Sequence, residues 1–145
     1  MDKEQLEKYT KNIMEVNKEL FDKIKVISDD LMNNTDIQNM SRYFRHQDTL
    51  TGIYGTLNVI YKQLRAFKEN AEAEYYNKLK LTADYNNEKF VSAVADRESS
   101  AHVAPIRMTR DIIEGYIEII IRSIDTCRSH IWEYKKEQKY DTPHE

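Results

Sequence analysis

Four histidines and one cysteine are the side chains with the most catalytic or metal-binding potential in this 145-residue chain. His46, His102, His130 and His144 have no His, Cys, Asp or Glu partner at a metal-ligand spacing, and no HExxH run occurs. Glu98 and His102 are four apart, a single turn pair better explained by surface polarity. Cys127 stands alone, so neither an internal disulfide nor a thiolate cluster can form. It falls on an apolar stripe, the place of a core thiol rather than a nucleophile. The pairs Asp111/Glu114 and Glu114/Glu118 read as exposed helix residues, and no pocket is predicted around them. No enzyme activity, cofactor or metal is therefore expected.

A second chemistry is better supplied. Cations neutralise phosphates and ring faces stack on bases, and that mixture holds single-stranded nucleic acid. It occurs in two regions. In the centre, Arg65, Lys68, Lys78 and Lys80 are interleaved with Phe67, Tyr75 and Tyr76. Tyr75 falls on an apolar stripe, which leaves Tyr76 as the stacking candidate. Near the C-terminus, Arg128, Trp132, Lys135 and Lys136 follow one another at helical spacing, off the stripe set by Cys127, Ile131 and Tyr134. The plainer explanations are that tyrosine is common in helix interfaces and that lysine suits the end of a helix.

The elements that must position these residues are helices. With 3 Gly and 2 Pro, the chain lacks the turn residues that a doubly wound α/β fold or a β-barrel requires. It also lacks any glycine-rich run for a phosphate loop or dinucleotide fingerprint. The net charge of −3 argues against a general basic coat but not against a local basic groove. The N-terminus MDKEQLEKYT has no signal-peptide core, and the run from Ile112 to Ile124 carries Glu114, Glu118 and Arg122. A cytoplasmic protein with no membrane partner is expected.

Apolar periodicity predicts one helical domain over 1–145. A first helix covers about 3–31, with Leu6, Tyr9, Ile13, Val16, Leu20, Ile24, Ile27 and Leu31 on one stripe whose beat slips between Leu20 and Ile24. Asn33, Asn34 and Asp36 predict a break. A second helix covers about 47–81, with Gly52 and Gly55 marking either a close helix approach or fraying. Residues 82–104 read as a connector, in which a short helix and short strands both fit. A third helix covers about 105–139, followed by a loose tail over 140–145. The expected fold is all-α: a long antiparallel helical hairpin of the second and third helices, with an additional N-terminal amphipathic helix. Its stripes exceed what one slender hairpin can hide, so a homo-oligomer is expected, with Ile113, Ile117, Ile120, Ile124 and Ile131 at the interface.

The layout resembles the UvsY-type recombination mediators of bacteriophages. The matching pieces are Arg65-Ala66-Phe67-Lys68, then Tyr75-Tyr76 with Lys78 and Lys80, then Asp96-Arg97 near the end of the connector, and the late basic and aromatic segment RSHIWEYKK from Arg128 to Lys136. The likeness covers about residues 45–140 and is one of layout. It implies a non-enzymatic, ring-forming oligomer that binds single-stranded DNA and contacts both the recombinase and the single-strand-binding protein. Such a protein helps to load the recombinase onto DNA covered by single-strand-binding protein. The competing expectations are a helical structural or adaptor protein of a phage particle or packaging complex, binding protein rather than DNA, and a small helical regulator acting through its acidic first helix.

Overall fold

The computed structural model describes residues 1–34 and 39–141, without the side chain of Asp141. It contains α1 (Lys3–Val16), α2 (Lys18–Asn33), α3 (Met40–Tyr85), α4 (Ser92–His102) and α5 (Ala104–Asp141), and no strand among the described residues. The chain groups into two compact units: Met1–Asn17 with Val59–Ile113, and Lys18–Asn58 with Glu114–Glu145. Both α3 and α5 contribute a stretch to each unit, and in each unit these stretches form a hairpin-like core.

The first helix expected over 3–31 is two helices. The Asn17 amide donates through Nδ2 to the Ile13 carbonyl at 2.8 Å, and its backbone N–H donates to the same carbonyl at 3.2 Å. An asparagine that satisfies the end of its own helix in this way stops it. The interruption therefore falls at Asn17 rather than at the slip in the apolar beat. At the other end of α1, Asp2 and Gln5 form a reciprocal capping box, with both bonds at 2.8 Å.

In the first unit, α1 buries Leu6 and Thr10, and Tyr9 meets Phe67 of α3 with ring centroids 5.1 Å apart. The buried Thr10 hydroxyl donates to the Leu6 carbonyl, which removes the cost of a stranded polar group. The connector is largely helical. α4 buries Ala95 and Ser99, small residues that let it lie close, and Val103 and Ile106 continue that core at its junction with α5. Arg107 fixes the junction by donating to the hydroxyl and carbonyl of Ser100 at 2.8 and 3.1 Å.

α3 ends in a Schellman arrangement. Asn87 adopts a left-handed φ of 52°, while Glu88 N–H donates to the Ala83 carbonyl and Asn87 N–H to that of Asp84. Asparagine tolerates this conformation better than most residues, so the Asn86-Asn87 pair marks the stop.

In the second unit, α2 buries Phe21, Ile24, Ile27 and Leu31. Val16 is left exposed and Phe21 replaces Leu20 as the deeper residue, because the register restarts after Asn17. Tyr43, Leu50, Ile53 and Leu57 of α3 are buried in this unit, as are Ile117, Ile120, Cys127 and Ile131 of α5. Each fully buried Leu or Ile contributes about 1.5–3 kcal/mol. Phe21 stacks on Tyr116 at 4.4 Å, which seats α2 against α5. The break expected between Met32 and Asn39 agrees with the gap between α2 and α3, but residues 35–38, Asp36 included, lie outside the described residues. So do residues 142–145 of the tail, with His144. Its earlier part, 140–141, belongs to α5.

Candidate nucleic-acid interface

The late basic and aromatic segment lies on α5 in the second unit. Cys127 and Ile131 point into the core, so residues a quarter-turn or more away are forced outward. Arg128, Trp132, Lys135 and Lys136 are all exposed, and Lys139 and Tyr140 extend the row. Trp132 is 63% exposed, unusual for the largest apolar side chain. The Lys136 ammonium lies 5.1 Å from its ring centroid. Arg128 stands 3.9 Å from Asp125, both 68% exposed, a pair that water screens almost fully. The four residues share one open strip with cations on either side of an aromatic face.

The central candidates belong to the first unit and are differently engaged. Arg65 and Lys68 pair one turn on with Glu69 and Glu72, at 3.6 and 3.0 Å. Lys68 is held half-buried by this contact. Tyr76 is also half-buried, with Phe90 set edge-on against it. Phe90, in the connection between α3 and α4, thus already engages the ring expected to serve as a stacking platform. Lys78 and Lys80 are exposed but two positions apart on a helix, about 200° around the axis, so they face different ways. Lys78 instead shares a groove with Leu81 and Tyr85, the latter 88% exposed. Tyr85 was missed because the helix was expected to end at 81; its four-residue spacing from Leu81 was the available signal.

The isoleucines expected at an oligomer interface are internal. Ile113 and Ile120 are fully buried, Ile117 and Ile131 nearly so, and Ile124 is half-buried. The expectation counted one slender hairpin, whereas α2 and, in the first unit, α1 and α4 also cover α5. Besides Trp132 and Tyr140, the large apolar residues that α5 does expose are Met108, Ile112, Ile119 and Ile121.

The second unit also holds a polar cluster. Asp30 Oδ2 accepts from His46 Nε2 at 2.7 Å and lies 3.6 Å from Arg42. Arg42, 91% buried by its 9% exposure, donates through Nη2 to the Asn34 carbonyl at the end of α2 and to the Tyr43 hydroxyl. Tyr43 stacks on His130 at 4.8 Å. Arg42 Nε and His130 Nδ1 are buried without hydrogen-bond partners. Burial pushes the neighbouring Cys127 thiol above its usual range, and the Arg42 charge pulls more weakly the other way. The cluster ties α2 to α3, and its carboxylate already serves both Arg42 and His46. No group of three His, Cys, Asp or Glu side chains able to hold a metal occurs among the described residues. No described helix is long and apolar enough to cross a membrane.

No protein-family model, curated protein or solved structure matches the chain.

Proposed function

We propose that this is a non-enzymatic protein that binds single-stranded DNA through the outer strip of α5 and acts as a recombination mediator. In this role it helps to load a recombinase onto DNA covered by single-strand-binding protein, as the UvsY-type layout implies. Trp132, exposed and bordered by Lys136, Lys135 and Arg128, carries the proposal. A base stacks on the indole while the flanking cations take the phosphates on either side. Base–aromatic stacking is worth about 1–3 kcal/mol per base. α3 and α5 form one antiparallel hairpin that carries the N-terminal helices, and copies of it assemble so that single strips of modest affinity act together.

The test is fluorescence anisotropy of a labelled oligo-dT with a duplex control, at low and physiological salt. Trp132 is the chain's one tryptophan, so its own emission reports stacking directly. Salt-sensitive, single-strand-preferring binding that quenches Trp132 and weakens about tenfold in Trp132→Ala supports the proposal. A folded protein that binds no oligo-dT at low salt refutes it.

A second function is favoured by a different observation. Met108 is 66% exposed and Ile112 42% exposed on neighbouring turns of α5, beside Arg107 and Asp111. An apolar patch with a charged border suits a protein partner, and an adaptor of that kind would leave oligo-dT unbound.

A further inference from the structure

A cavity of about 460 Å³ opens in the first unit, within the range of small-ligand sites. Tyr75, Glu74 and Lys78 reach it from α3, His102 from α4, and Lys3 and Gln5 from α1. Tyr75 and His102 stack almost parallel, 4.1 Å apart with 14° between the planes, so each covers one face of the other and a third ring can add only to an outer face of the pair. His102 is held in that orientation by a 3.1 Å contact between Nε2 and the Met1 carbonyl. Among the described residues, Lys3, Lys78 and Glu74 have no ion-pair partner within 4.0 Å. The α1 terminus itself is not what remains open: Asp2 already accepts from the Gln5 N–H, and Gln5 Oε1 from the Asp2 N–H. That leaves the Gln5 side-chain NH₂ as a donor.

We propose that this cavity binds a nucleotide carrying an exocyclic amino group. The planar base extends the stack on an outer face of the Tyr75–His102 pair. Lys78 and Lys3 take the phosphate. The base edge presents an amino donor to Glu74 and a ring acceptor to Gln5, a pattern that adenine and cytosine offer and thymine and uracil do not. A free nucleotide and the 5′-phosphorylated end of a strand share this chemistry. The site is in the other unit from Trp132 and stands whether or not α5 binds DNA.

The experiment is a titration of the full chain with AMP, followed by the His102 imidazole resonances and by calorimetry. UMP, adenosine, inorganic phosphate and a 5′-phosphorylated oligonucleotide are the parallel arms. AMP is expected to shift the His102 resonances and to bind more tightly than the first three. Lys78→Ala, at an exposed position, weakens AMP about tenfold. Ala71→Phe fills the cavity and abolishes binding, with folding checked by circular dichroism. Binding of the oligonucleotide but not AMP supports the site and identifies a strand end as its ligand. No shift with either at millimolar concentration overturns the proposal. Equal binding of phosphate, adenosine or UMP, or AMP binding indifferent to both substitutions, overturns it as well. Oligo-dT binding at Trp132 succeeds or fails independently, since that probe lacks the amino group this cavity requires.

Discussion

The ring of Tyr76 meets the edge of Phe90, with centroids 5.5 Å apart and planes at 88°. Phe90 lies between α3 and α4, so the pair pins the short connection between them to the side of α3. Such edge-to-face pairs contribute about 0.5–1.5 kcal/mol beyond the area they bury. Tyr76→Ala is expected to lower stability by about 1–2 kcal/mol in a urea titration. It should leave oligo-dT affinity unchanged, because the ring is already engaged. A loss of affinity without a loss of stability would return Tyr76 to the nucleic-acid surface.

Among the described residues, Asp30 is the one carboxylate that faces both Arg42 and His46. Arg42 cannot leave easily, since its Nη2 is bound to the Asn34 carbonyl and the Tyr43 hydroxyl. Asp30→Ala would keep a largely buried guanidinium and remove its counter-charge. Breaking a fully buried pair costs about 3–5 kcal/mol. Asp30 is 31% exposed, so water offsets part of this and about 2 kcal/mol is expected. Chemical denaturation of Asp30→Ala beside Asp30→Asn measures it, and the asparagine, which keeps an acceptor, should cost less.

The helical class and the long elements were legible because their stripes repeat over many turns. Leu50, Ile53, Leu57 and Leu64 all face the core as their spacing requires. The division after Val16 was not, because nothing in the apolar beat marks Asn17; its amide bond to Ile13 does. α4 was hard to read for a related reason. It buries Ala95 and Ser99, and a face of small residues leaves no apolar periodicity. The exposure of Trp132 was legible from its offset to Cys127 and Ile131. The pairing of Tyr75 with His102 was not, since the two are far apart in sequence and meet only through the fold.

Cys127 is fully buried, and burial holds its thiol protonated beyond the usual range. In the unfolded chain the thiol ionises once pH rises past 9.0, its ordinary value, while the folded thiol keeps its proton. The unfolded state then binds fewer protons than the native one, so stability is full below that pH and falls as pH climbs toward the raised folded value. Cys127→Ala should flatten this part of the stability–pH curve, at a cost in stability from the smaller side chain. A disulfide-exchange reagent should label Cys127 at the rate of unfolding, and rapid labelling of the native protein would contradict its burial.

Gly52, Gly55 and Gly115 sit inside helices, yet an added methyl at any of them meets no atom within 4 Å. None has a positive φ. Within the chain they therefore serve neither a close helix contact nor a turn, and alanine should be the better residue. Each Gly→Ala change is expected to raise stability by about 0.5–1 kcal/mol through helix propensity and a less flexible unfolded chain. The triple variant should gain about 2 kcal/mol if the sites act independently. The same substitutions probe assembly, because a second copy that packed its backbone against these open positions would meet the new methyl groups. Light scattering on the triple variant separates the cases. A stabilised chain of unchanged mass means that copies meet elsewhere. A stabilised chain of lower mass places the contact between copies on a glycine-bearing face of α3 or α5.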